Sequence, residues 1–348
     1  MKQLVYLLAL TLLAACSKEP AQSPGPQPQG GHTLAFTYPN YRTAESRASV
    51  PAQDWEKAVY DLGIFAFRAD GSYIGQLAAG EDADYTETDT GGTTTIEATK
   101  GFIGKYAGQT VVFYFVGNNA RSLSNSTAAA TQHIASFSGT ETDFRELLTV
   151  PLGSNWDNTK AEYIKVSPTA GGLLMTARAE VTIMGKTVVP VMLKRRTARF
   201  DLINPAPDNL IIEGIYISDA KVQGPMFGDA RGPFSIPARS LEQIDRPGVA
   251  DNAHVSYAVE KDAQSRDVYR AAGMFYLYPT SLTETSITVR GYLGSVRSDN
   301  LYSFPVVGNI DILANNRYTL KFDEYTTNII INVGDYEEGG TIVITENE

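Results

Sequence analysis

The sequence predicts an all-β chain with minor helix, arranged as two tandem antiparallel β-sandwich domains. Three observations lead there. Nineteen Tyr, fourteen Phe and thirty Gly, with abundant Thr and Val, suit strands joined by turns. Short apolar runs recur along the chain, many alternating with period 2 and bounded by Gly, Pro, Asn or Asp. A length of 348 residues makes two domains likelier than one.

Leu4 to Ala15 is an apolar run behind Lys2. It falls short of the roughly 20 residues that a bilayer span needs and has the size of a secretory signal. Leu13-Ala14-Ala15-Cys16 resembles a bacterial lipobox, in which the thiol is acylated and the cysteine becomes the new N-terminus. Several acyl chains, each CH₂ contributing about 0.8 kcal/mol, hold a soluble domain on a membrane. Cys16 is the only cysteine, so it has no disulfide partner in the chain. The plainer reading is an incidental cysteine at a small-residue cleavage site. Lys18-Glu19 resembles the short charged export signal of Bacteroidetes surface lipoproteins.

Ser17 to Gly31 is a Pro/Gly/Gln tether that reaches on the order of 50 Å when extended. Leu34, Phe36 and Tyr38 then alternate with Ala35 and Thr37, the pattern of a half-buried strand. A small, polar stretch holding Arg42 and Arg47 separates that strand from the body.

From Val59 onward the strand signals are regular. Asp70-Gly71 marks a hairpin, and "QTVVFYFVGNN" reads as a central strand. "TAAATQHIAS" and "TDFRELLTV" are the short-helix candidates, the second with Thr142 or Asp143 as cap. Met184-Gly185-Lys186 predicts a second hairpin, and a domain boundary is expected near 194–204. In the second half, "LIIEGIYISDAKV", "GMFYLYPT", "TSITVRGYLGS", "LYSFPVVG", "RYTLKF", "TNIIINVGDY" and "GTIVITE" are strand-like, and "RSLEQID" suggests one or two helical turns. No solenoid-length repeat is visible.

Signals for chemistry are sparse. A net charge of −10 argues against a nucleic-acid partner, which wants a basic footprint. The chain has no nucleophile-elbow, phosphate-loop or HExxH motif, and His32, His133 and His254 stand far apart. Glu81 to Thr90 clusters five carboxylates without the Gly-punctuated spacing of a calcium loop, so a solvated acidic loop is expected. Trp55, Trp156 and the tyrosines raise a carbohydrate platform. Period-2 aromatics such as Tyr276 and Tyr278 read better as packing faces of a sheet. "LKRRTAR" (Leu193 to Arg199) reads as a salt-bridging linker, with anion binding second. Neither an enzyme activity nor a cofactor or metal is expected.

Taken in order, these segments resemble the fimbrillin family of Bacteroidales, the subunits of type V pili and their relatives. The resemblance lies in the lipobox at Cys16, the strand at Leu34 to Tyr38 and the Arg47-Ala48 bond before the body. It continues in "GGLLMTARAEVTI" with "VVPVMLKRRTARFDLIN", and in "FYLYPT", "ITVRGYLG", "YSFPV" and "ILANNRYTLKF" near the end. The resemblance spans nearly the whole chain, and the order of the motifs is its specific part.

The resemblance implies a pilus subunit that serves adhesion, exported as a lipid-anchored precursor to the outer membrane and then built into a surface fimbrium. An Arg-specific protease would cut between Arg47 and Ala48, with Arg42 the less favoured alternative, and remove the strand of Leu34, Phe36 and Tyr38. Other pilus subunits would be the partners, in a homo- or hetero-polymer formed by strand exchange. The donor would come from the C-terminal end, with Ile329, Ile331 and Val333 on one alternating face and Ile342 and Ile344 on another. Asp335, Glu337 and Glu338 supply the acidic turn between those strands, and a plain terminal hairpin explains the same residues. The implied division is 1–16 signal peptide with lipobox, 17–47 tether and removable strand, 48–197 N-terminal sandwich, and 198–348 C-terminal sandwich with the donor hairpin. The alternative function is a non-polymerising outer-membrane lipoprotein that binds glycan or a host ligand.

Overall fold

A computed structural model describes residues 33–39, 56, 59, 61–90, 93–118, 134, 137–147, 173–204, 210–221, 224–227, 238–244, 258–261, 265–293, 302–306, 308–322, 329–335 and 342–343. At 39, 213, 238–244, 258, 268, 329–335 and 342–343 only the backbone is described. Residues 32–348 form one compact unit.

Alternation of apolar and polar residues puts one face of each half-buried strand inward. In the first sheet pair, a four-stranded sheet has the order β4-β5-β1-β8 and a five-stranded sheet the order β3-β2-β6-β7-β9. The four-stranded sheet uses β1 (Thr33–Pro39), β4 (Tyr85–Thr90), β5 (Thr93–Ala98) and β8 (Lys186–Pro190). The five-stranded sheet uses β2 (Leu62–Arg68), β3 (Tyr73–Gln76), β6 (Thr110–Gly117), β7 (Met175–Thr182) and β9 (Lys194–Arg195). Phe36, Ile64, Ile96, Phe113 and Phe115 fill the space between them.

Strand β6 is central, as its unbroken apolar run suggests, because both of its faces are covered. Val111, Phe113 and Phe115 face the sandwich core, while Val112, Tyr114 and Val116 join a separate cluster with Phe144, Ile134 and Met226.

The second pair repeats this layout. One sheet has the order β13-β14-β10-β19-β20-β21 and the other β12-β11-β16-β17. The first comprises β10 (Ala198–Asn204), β13 (Ala258–Lys261), β14 (Asp267–Leu277), β19 (Asn316–Phe322), β20 (Ile329–Asp335) and β21 (Ile342–Val343). The second comprises β11 (Leu210–Lys221), β12 (Ala238–Ile244), β16 (Ser286–Leu293) and β17 (Tyr302–Val306). β15 (Thr280–Ser281) and β18 (Asp311–Ile312) form a small ladder of their own.

Strands β1, β2, β3, β4, β5, β6, β7 and β8 correspond in neighbour and direction to β10, β11, β12, β13, β14, β16, β17 and β19. The same topology occurs twice, although no repeat is legible in the residues. The opening strand of each half lies mid-sheet, antiparallel to one neighbour and parallel to the other, so the sandwiches are not purely antiparallel.

Several local expectations are corrected. Met184-Gly185-Lys186 does not close a hairpin, since β7 belongs to the five-stranded sheet and β8 to the four-stranded one. Gly185, at φ 58°, turns the chain between sheets. "RSLEQID" contributes to strand β12 rather than a helix. The second half of the acidic segment is edge strand β4, with Glu87 and Asp89 exposed. Carboxylates on an edge discourage pairing with stray strands.

Helix α1 (Lys100–Tyr106) was not foreseen. Its two glycines weaken the propensity, and the burial of Phe102, Ile103 and Tyr106 against the core outweighs that. Helix α2 (Glu141–Arg145) is capped by Thr140 rather than by Thr142 or Asp143. Thr140 Oγ1 accepts from the Asp143 amide, and the Asp143 carboxylate accepts from the Thr140 amide at 2.7 Å. Most of "TAAATQHIAS" lies outside the described residues, as do Trp55 and Trp156.

Candidate functional site

Strand β1 is the feature that the sequence set apart, and it is an interior strand of its sheet. It runs antiparallel to β5, with Phe36 opposite Ile96, and parallel to β8, with Phe36 opposite Val189. Both ladders join it to segments distant in sequence. At its ends the Thr33 amide donates to the Gly185 carbonyl at 2.8 Å, and the Val191 amide donates to the Thr37 carbonyl at 2.7 Å.

Leu34, Phe36 and Tyr38 all point into the core and are 0%, 2% and 4% exposed. The Phe36 ring meets Phe113 and Phe115 of the facing sheet edge-on, with centroids 4.8 and 5.0 Å away. The Tyr38 hydroxyl donates to the Glu87 carboxylate at 3.4 Å. Full burial of three such side chains stabilises the sheet pair by roughly 5–8 kcal/mol, an upper bound because the unfolded chain also buries apolar surface. Without β1, an apolar slot between β5 and β8 would open onto Phe113 and Phe115, with two unpaired strand edges along it.

The remaining expected site residues are distributed as follows. Cys16, Arg42, Arg47, Ala48 and Ile344 lie outside the described residues. Ile329, Ile331 and Val333 lie on β20, in register with Phe322, Leu320 and Tyr318 of β19. Ile342 lies on β21, opposite Val333. The terminal hairpin thus pairs into the second half, in a different sheet from β1, with β21 outermost.

The sequence did not reveal what the basic segment binds. Arg199 is fully buried, 2.8 Å from Glu56 and 2.7 Å from Asp201. Tyr276 also donates its hydroxyl to Glu56, and the Arg195 guanidinium donates to the Glu56 backbone carbonyl at 2.8 Å. The Gly273 amide donates to Asp201 at 2.8 Å. The salt-bridging part of the "LKRRTAR" reading holds for Arg199, whose counter-ions are the distant Glu56 and Asp201 of its own strand. The segment is no linker, since it runs through β9 and into β10. Phe275, Tyr276 and Tyr278 are all buried, as the packing reading of these aromatics requires.

Among the described residues no three His, Cys, Asp or Glu side chains converge as a metal site would require. No described helix is long and apolar enough to cross a membrane.

The chain is similar to solved fimbrial proteins. One is a fimbrial assembly protein from Parabacteroides distasonis, 10% identical, with a TM-score of 0.48 over 90% of this chain and 99% of that one. Another is the tip fimbrial protein Mfa3 from Porphyromonas gingivalis, 12% identical, with a TM-score of 0.48 over 87% of this chain and 98% of that one. The fimbrial anchor protein Mfa2 from the same organism is 14% identical, with a TM-score of 0.37 over 89% of this chain and 98% of that one. No family model and no curated relative matches the sequence. At such low identity, what the chain does has to be argued from its own strands.

Proposed function

We propose that the chain is a structural subunit of a cell-surface pilus, serving adhesion and polymerised by β-strand exchange. It is exported as a precursor anchored to the outer membrane through Cys16. An Arg-specific protease then cuts between Arg47 and Ala48, and the piece bearing Leu34, Phe36 and Tyr38 departs. The observation that carries this reading is the position of β1: an interior strand, buried through three side chains, whose neighbours on both sides are remote in sequence.

The topology offers an internal comparison. Its counterpart β10 follows β9 after a two-residue turn, whereas β1 follows the polar 17–31 tether. A strand held by its sheet neighbours alone once the following linker is cut behaves as a ligand. Main-chain pairing would hold any replacement, and alternate side chains in apolar pockets would select it. Keeping β1 in place until arrival at the surface would prevent premature pairing.

On the donating side, the terminal hairpin of Ile329, Ile331, Val333, Ile342 and Ile344 is the candidate strand for a neighbouring subunit. In the folded chain β20 pairs along its whole length with β19, while β21 pairs at two positions only.

The test is the N-terminal mass of the protein recovered from the native cell surface. A chain that begins at Ala48 is the expected result. A chain that begins at acylated Cys16 overturns the processing step and favours a resident lipoprotein that binds glycan or a host ligand.

A further inference from the structure

We propose that the slot β1 occupies is selective for a strand with a central aromatic residue. On this account its replacement comes from a different chain, not from the C-terminal hairpin of a second copy. The inference rests on the strand-exchange reading and narrows it.

The slot's central position is built around a ring. Phe36 fits between Phe113 and Phe115 in two edge-to-face contacts, a geometry that an aliphatic side chain cannot reproduce. The next inward position holds Tyr38, whose hydroxyl reaches Glu87 on the outermost strand of the sheet. The counterpart strand β10 also carries an inward phenyl ring, Phe200, but it stacks within its own sheet, on Phe275 of β14 at 4.4 Å and Tyr318 of β19 at 5.1 Å. An aromatic residue therefore occupies both places, and of the two it is Phe36 that is held by rings of the facing sheet.

The C-terminal hairpin does not match that pattern. From Ile329 to Glu348 the only aromatic residue is Tyr336. In a period-2 strand its inward companions would be Gly334 and Glu338, which fill no apolar pocket. The inward set Ile329, Ile331 and Val333 would place Ile331 where Phe36 sits and leave part of the space between Phe113 and Phe115 empty. A fitting partner is an extended segment with an apolar residue, then two aromatics, at alternate positions.

The test uses the full chain with a specific protease site inserted after Arg47. After folding and cutting, release of the 1–47 fragment is followed in the presence of synthetic strands. These are the Thr33–Pro39 sequence, the same peptide with Phe36→Ile, and the Ile329–Asp335 sequence. The expected result is release by the first peptide, with roughly 10- to 100-fold higher concentrations needed for the other two. Release by Ile329–Asp335 at a concentration within about threefold of the native peptide overturns the selectivity and makes a second copy a fitting donor. If an excess of the Thr33–Pro39 peptide releases nothing, strand exchange itself fails, and this inference fails with it.

Discussion

Glu56 accepts hydrogen bonds from Arg199 and Tyr276 through its side chain, and from Arg195 through its backbone carbonyl. Its side chain and that of Arg199 are 0% exposed, so the carboxylate compensates a charge that water cannot reach. Glu56→Leu leaves Arg199 with less countercharge, and we expect a loss of about 3 kcal/mol in denaturant unfolding. A variant within experimental error of the parent would show that Asp201 alone suffices. Tyr114 offers a test in pH. Burial, and then its hydrogen bond to Glu141 at 2.6 Å, push its pKa up from 10.0 to about 12. The folded state thus holds this proton more tightly than the unfolded one. The contribution is complete below pH 10.0 and is lost as pH rises toward about 12. Alkaline unfolding curves should therefore shift less between these limits for Tyr114→Phe than for the parent.

Strands are governed by close approach as well as by alternation. Gly291 of β16 pairs with Ile212 of β11, beside an irregularity in that ladder. A Cβ at Gly291 would stand 2.5 Å from the Ile211 carbonyl oxygen. Because that oxygen belongs to the backbone, Gly291→Ala must displace β11 or β16, and a loss of about 1–3 kcal/mol is expected. Amide exchange along β11 and β16 should rise in the variant, and unchanged protection would sink this account. The edges follow a different rule. β4 carries exposed Glu87 and Asp89, and β8 carries exposed Lys186 and Pro190. These residues discourage addition of stray strands at the rims.

Across the whole molecule the two sheet pairs interlock. Leu173, which enters the first pair's β7, is buried in the core of the second pair. Met226, which follows β11 of the second pair, packs on the outer face of β6. Glu56, which precedes β2 of the first pair, is also ion-paired with Arg199 of the second pair's β10. Residues 32–348 should therefore unfold in one transition, with calorimetric and van't Hoff enthalpies equal. Two resolved transitions would mean that this interlocking is energetically weak.

The strand around Phe36 was legible because period-2 alternation is written locally, in residues two apart. The strand around Phe113 was legible because an unbroken apolar run marks a central strand buried on both faces. The hairpin at Asp70-Gly71 was likewise written locally, with Gly71 at φ 82°. The Thr-x-x-Asp spacing of the capping box at Thr140 is a local signal of the same kind. β12 and α1 misled because short polar or glycine-bearing stretches take the form that packing assigns them. The sequence by itself determined that the chain is all-β and that one strand signal precedes the regular run of strands from Val59 onward. Only the tertiary structure decided that β1 lies between β5 and β8, that the topology occurs twice, and that Glu56 neutralises Arg199. Those outcomes depend on partners brought together by chain closure over long separations, and no local pattern specifies which distant segment will arrive.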